Sequence, residues 1–208
     1  MKHSKQTFIT AFALFSMFFG VGNLLLPPFL GYNAGSEWVW VTIGFTISAV
    51  FIPILAIYSH AKLQGTMLDF GLKVSNWFAI SYSLIVYIIA VALPIPRTAA
   101  FTYEMTVQPY FNLSSLWSSA IYFALVLLFV LNRQIVLDLI GKFLTPFILL
   151  LLFVIILLGL FEEVRPIGES IFGNTFTEGI MEGYQTFDAL GGIVSGGVVV
   201  ISLSLLGK

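Results

Sequence analysis

Phe19-Gly20-Val21-Gly22-Asn23-Leu24-Leu25-Leu26-Pro27-Pro28 stands inside an apolar stretch covering about residues 7–31. The stretch is long enough to cross a bilayer, since about 20 residues of helix span the ~30 Å hydrocarbon core. Yet it carries helix breakers where lipid demands that every backbone N–H and C=O find a partner. Gly20 and Gly22 each cost about 1 kcal/mol of helix propensity relative to Ala. Asn23 competes for backbone partners. Pro27 has no N–H to donate and clashes one turn back, near Asn23. Two structures answer this pattern. One is a small-residue packing groove with a proline kink. The other is an unwound segment between two half-helices, whose freed carbonyls face a cation while the following helix N-terminus attracts a carboxylate.

Outward from this stretch, apolar runs recur at about 36–60, 76–103, 114–132, 139–161 and 180–207. Ile148–Leu160 shows no polar alternation, which excludes the two-residue period of a membrane β-barrel. The chain is 59% apolar and 9% charged over 208 residues, whereas a soluble domain carries about 25% charged residues. The fold expected is an all-α polytopic membrane protein with about six transmembrane helices. A net charge of −1 and a pI of 6.1 leave no basic surface for nucleic acid. With no cysteine, disulfide frameworks, thiolate metal sites and cysteine nucleophiles are excluded together. His3 and His60 lie near span ends, which argues against a histidine-rich metal centre.

Charge chooses the orientation. With a cytoplasmic N-terminus, Lys2, Lys5, Lys62, Lys73, Arg133, Lys142 and Lys208 fall inside and only Arg165 outside, with Arg97 inside the third run. That is the positive-inside bias. Glu37, Glu104, Glu162, Glu163, Glu169, Glu178 and Glu182 fall outside or at the outer edge, and Asp69 and Asp138 inside. The first run is expected to be a span and not a signal peptide, because its apolar part is long and Pro27-Pro28 follows it. The longest polar connection, 162–179, contains Pro166, Gly168, Gly173 and Asn174 and separates five spans from the sixth.

A second concentration of breakers is Glu182-Gly183-Tyr184-Gln185-Thr186-Phe187-Asp188-Ala189-Leu190-Gly191-Gly192, followed by Ser195-Gly196-Gly197. Asp188 is the only acid well inside an apolar run, and an intramembrane carboxylate is expensive unless paired, hydrated or bound to a cation. Either the helix starts late with Asp188 as its N-cap, or this span is broken too. In the third run, Pro94-Ile95-Pro96-Arg97-Thr98-Ala99-Ala100-Phe101-Thr102-Tyr103-Glu104 also permits two readings. The helix ends at Pro94 and Arg97 snorkels to the headgroups, or it continues, Arg97 needs a partner such as Glu104, and Thr98 and Tyr103 face a cavity. An intramembrane aspartyl protease is disfavoured, because it needs two carboxylates sharing one site.

Phe15-Ser16-Met17-Phe18-Phe19-Gly20-Val21-Gly22-Asn23-Leu24 through Pro27-Pro28-Phe29-Leu30-Gly31 resembles the N-terminal signature of the branched-chain amino acid:cation symporters. Pro96-Arg97-Thr98-Ala99-Ala100 and Glu182–Leu190 resemble two further segments of that family, so the likeness runs in order along nearly the whole chain. The resemblance implies a bacterial inner-membrane symporter importing Leu, Ile or Val with Na⁺ or H⁺. It also implies a five-plus-five inverted-repeat fold with helices 1 and 6 discontinuous around the substrate. Residues 1–161 are then the first repeat, 162–179 an external connection and 180–208 the sixth helix.

Substrate is expected at Gly20, Val21, Gly22, Asn23, Thr98, Tyr103, Thr186, Phe187 and Asp188, and the coupling ion, Na⁺ included, at Gly20, Asn23, Thr186 and Asp188. No other cofactor is expected, and the partners are the amino acid and the bilayer. Members of the family are about twice this length with roughly twelve spans, as two full repeats require. The chain as given is therefore read as a truncated or split form, with a second chain carrying the remaining repeat as one form of partner. A non-transporting membrane fragment or subunit is the alternative.

Overall fold

The computed structural model describes residues 11, 12, 15, 18–131, 145–161 and 167–205, and among these every regular element is helical. Two compact units form: Met1–Gly20 with Thr98–Ile167, and Val21–Arg97 with Gly168–Lys208.

In the second unit, α1 (Val21–Ala34) passes through a 3₁₀ turn at Gly35–Glu37 into α2 (Trp38–Thr46). A π-helical turn, Ile47–Phe51, leads into α3 (Ile52–Leu63). The helical run Gly22–Leu63 has 42 residues, about twice what one crossing needs, and it is folded in two at Gly35. That residue adopts φ +52, and a Cβ there would also run into the Gly168 carbonyl. The fold-back packs Leu26, Leu30 and Ala34 of α1 against Val41 and Phe45 of α2, with Phe172 beside them. Backbone bonds from Ser36 to the Gly168 carbonyl (3.0 Å) and from Ile171 to the Asn33 carbonyl (3.1 Å), with Thr175 Oγ1 donating to Glu37 (2.9 Å), tie the 168–175 segment to this turn.

Left-handed Gln64 (φ 54) ends α3, and the short α4 (Met67–Leu72) opens on a Thr66–Asp69 capping box. Ser75 caps α5 (Asn76–Ala92), which meets α6 (Pro94–Thr102) at Leu93. The helical run Asn76–Val107 is also long and apolar enough to cross a membrane. So the third run continues past its prolines, as one of the two readings had it.

The sixth span is two helices, α9 (Thr175–Tyr184) and α10 (Asp188–Leu205), separated by Gln185–Phe187. The helix starts at Thr175, five residues before the run read from 180, because Asn174 caps it at Thr177 N (3.0 Å). Glycines seat both halves against the second span. A Cβ on Gly44 would strike the Phe176 carbonyl, and one on Gly179 the Val41 carbonyl, so α2 and α9 touch backbone to backbone. Gly192 and Gly196 do the same for α10, facing Pro53, Ala56 and His60 of α3. Without a hydrophobic force between helices in lipid, such close approach supplies the packing. The glycine pair Gly191-Gly192, read as part of the break, lies inside α10, where Gly192 packs on α3.

In the first unit, residue 18 is helical and Phe19 and Gly20 are not. Phe19 N–H still bonds to Phe15 O (2.8 Å), with the two rings stacked. The unit continues from Thr98 through the π-helical turn Tyr103–Val107 to α7 (Ser115–Leu131) and α8 (Thr145–Phe161). These two helices have 17 residues each and no charge, the short end of the range of about 17–25 that crosses a bilayer. Apolar side chains such as Leu128, Val130, Phe153 and Leu158 stand exposed on them, which suits lipid and not water. Residues 7–10, 13, 14, 16 and 17 of the first run, 132 of the fourth, 139–144 of the fifth and 206–207 of the sixth lie outside the described residues.

Candidate functional site

Each break has a distinct local cause. At the first, Phe19 and Gly20 leave the helix and α1 starts at Val21. The unwound stretch is therefore shorter than Gly20–Asn23: Val21, Gly22 and Asn23 form the first turn of α1. Nor does Pro27 break the chain near Asn23, since α1 runs through Pro27 and Pro28. A proline only removes the bond back to the residue four earlier, which here concerns the Asn23 and Leu24 carbonyls, and a kinked helix tolerates that loss.

At the second break, Phe187 adopts φ +60, a left-handed conformation rare for bulky residues. Thr186 stitches the ends: its Oγ1 donates to the Gly183 carbonyl (2.8 Å) and accepts from Asp188 N–H (3.4 Å). Gln185 Nε2 donates to Glu182 Oε1 (2.8 Å). Arg97 Nη1 donates to the Gln185 carbonyl (2.8 Å), and its guanidinium lies 5.9 Å from the Phe187 ring centre.

The helices that follow the two breaks meet through side chains. Asn23 Nδ2 donates to Asp188 Oδ2 at 2.8 Å across 165 residues of sequence, and both residues are half-buried. Beside this bond, a Cβ on Gly22 would stand 3.6 Å from Thr186 Cγ2, so the first turn of α1 lies directly against the second break.

The family described as "Branched-chain amino acid transport protein" matches residues 3–207. The chain belongs to this family. It is similar to the branched-chain amino acid permease BraB of Bacillus subtilis (strain 168), with 36% identity over 213 residues, covering 96% of this chain and 48% of BraB. It is also similar to a protein of Staphylococcus aureus (strain USA300) that bears the name of a branched-chain amino acid carrier. There the identity is 32% over 216 residues, covering 98% of this chain and 48% of the relative. The chain thus spans about half the length of the curated relatives it matches. No solved structure matches it. The family is one of transport proteins and not of enzymes, and the apolar helices are those of a membrane protein.

Of the residues read as the site of a branched-chain amino acid transport protein, the structure brings Gly22, Asn23, Thr186 and Asp188 together, and puts Phe187 in the same turn. Gly20 is exposed with open space around its α-carbon. Thr98 and Tyr103 belong to the other compact unit. There the Thr98 carbonyl accepts from Thr102 Oγ1 (2.8 Å), and the Tyr103 hydroxyl donates to the Leu113 carbonyl (3.3 Å). Arg97 donates to the Gln185 carbonyl, a partner that the sequence had not offered.

Two further features of the family member escaped sequence reasoning. The π-helical turn Ile47–Phe51 stands where α9 meets the second span, with Ser48 next to Gly183, and such turns recur at functional sites. No local residue pattern marks it. His60, read only as a span-end residue, is buried, with its ring nitrogens 2.9 Å from the Gly65 and Ile193 carbonyls, linking α3 to α10. A histidine four residues before a left-handed helix end was the available signal.

Proposed function

We propose that the protein is a symporter, or the first half of one, that imports Leu, Ile and Val into a bacterial cell across the inner membrane, driven by Na⁺ or H⁺. The observation that carries this reading is the Asn23–Asp188 bond between two interrupted helices. An acid inside a span is costly and functional by default, and here it meets an amide at the start of another half-helix.

The substrate's carboxylate accepts from N–H groups in the first turn of α1, around Val21–Asn23, where the helix dipole favours an anion. Its ammonium faces the carbonyls and side chains of Thr186, Phe187 and Asp188. The branched side chain enters an apolar pocket. An apolar pocket separates side chains that differ by one methylene by only ~1–3 kcal/mol, so overlapping use of Leu, Ile and Val is expected. The Asn23 amide oxygen, the Thr186 hydroxyl and the Asp188 carboxylate are hard oxygen donors of the kind an alkali cation takes. Coupling follows when substrate completes the ion's ligand set. Lys62 and Lys73 on one side of the second and third spans favour a cytoplasmic N-terminus.

Labelled-leucine uptake tests the reading. Vesicles containing the protein should accumulate leucine under an imposed inward Na⁺ or H⁺ gradient, with Ile and Val competing. Uptake that ignores both gradients, or no uptake even when the second half of a family member is co-expressed with the chain, overturns it.

A further inference from the structure

Arg97 is not among the residues read as touching substrate or ion, yet its side chain makes two contacts with the second break. Gln185 is the C-cap of α9, so its carbonyl stands at the negative end of a helix dipole, where a cation is favoured. Arg97 donates to that carbonyl from 88 residues away, while the Gln185 side chain is occupied by Glu182. The guanidinium also lies over the Phe187 ring, within cation–π reach. Phe187 holds the left-handed φ of +60, a conformation that persists only where the surroundings enforce it. The next residue is Asp188, whose carboxylate meets Asn23.

We infer that Arg97 is a positioning residue of the substrate site. It grips the Gln185–Phe187 turn by one carbonyl and one ring, and so fixes where Asp188 emerges against Asn23 without touching the ligand itself. The inference rests on the reading of the two breaks as the substrate site. A residue that only helped the span to fold would need neither contact to be specific. A residue that aims the turn sets affinity and leaves the turnover of saturated protein nearly alone.

Two readouts test this, one of them independent of transport. The chain has no cysteine, so Ala189→Cys supplies a single thiol one residue past Asp188. In membranes from cells expressing the protein, Arg97→Gln should speed maleimide labelling of that thiol about tenfold, the loss expected for one hydrogen bond to a charged group. In uptake, Arg97→Gln should raise the KM for leucine about tenfold while the maximal rate per protein stays within about two-fold. Arg97→Lys keeps the charge but not the planar fork, and should fall between wild type and Arg97→Gln in both measurements. It also serves as the reading variant if Arg97→Gln does not accumulate. Unchanged labelling, or a reduced maximal rate at unchanged KM, overturns the inference. A protein that takes up no leucine but labels faster in Arg97→Gln defeats the transport reading and leaves the role of Arg97 standing.

Discussion

Two aspartates open helices in this chain, each shortly after a threonine, and they spend their carboxylates differently. Asp69 is the third residue of α4, and its Oδ2 accepts from Thr66 N–H (2.6 Å) and from the Thr66 hydroxyl (2.8 Å), fully exposed and within three residues of sequence. Asp188 is the first residue of α10. Its backbone N–H takes the Thr186 hydroxyl, and its carboxylate reaches Asn23 on another helix. In water, a local cap satisfies a carboxylate cheaply. Inside lipid, a carboxylate committed only to its own helix end would be a large unreturned cost. Asp188 instead points its carboxylate at a second interrupted helix, and on that the proposed binding site rests. The chemistry at the two helix starts is alike, and its destination separates the local cap from the long-range contact.

Asp188→Asn should break the contrast most severely. The substitution keeps the shape and a hydrogen bond to Asn23 but removes the charge. Cation-driven leucine uptake should fall about 100-fold, the upper end for a hydrogen bond to a charged group, with normal amounts of protein in the membrane. Near wild-type uptake would make Asp188 a cap like Asp69. Asn23→Ala comes next: it removes one partner of the same bond and should raise the cation concentration for half-maximal uptake about tenfold. An unchanged cation dependence removes Asn23 from the site. Smaller still is the pair of threonines. Thr186→Ala should weaken leucine affinity about three- to fivefold, in line with ~1 kcal/mol for one neutral hydrogen bond, whereas Thr66→Ala should leave affinity unchanged. Equal effects from the two would erase the distinction.

Much of this was legible from residue types. Apolar run lengths gave away the helical membrane fold, and Gly20, Asn23, Thr186 and Asp188 stood out as groups that a plain span does not tolerate. What stayed hidden depends on partners far apart in sequence. Pro27 signals a lost backbone bond, but only the fold shows that α1 continues through it. Gly179 and Gly192 signal low helix propensity, and only their neighbours show that they serve close packing. The partner of Arg97 is a main-chain carbonyl, which no side-chain pattern announces, so Glu104 looked the better candidate on spacing alone. The π-helical turn at Ile47–Phe51 arises where α9 packs on the second span, and its sequence is as apolar as that of its neighbours.

The smallest effect belongs to the other aspartate, and its sign follows from its bonds. The Thr66 backbone N–H, then the Thr66 hydroxyl, hold the Asp69 carboxyl below its usual value of 3.8. A group with a lowered folded-state pKa binds fewer protons folded than unfolded, so its contribution is present above the unfolded value and is lost as pH falls through the folded one. The window therefore lies below about pH 4, on the acid side of any transport assay. Asp69→Asn should flatten the pH dependence of the melting temperature of the purified protein between about pH 4 and 3. At neutral pH, leucine uptake by this variant should stay within about two-fold of wild type, as for an exposed local cap. If Asp69→Asn instead cut uptake as deeply as Asp188→Asn, burial and a distant partner would not be what distinguishes the two acids. The site would then have to extend to the turn between α3 and α4, where His60 already bridges Gly65 to Ile193 of α10.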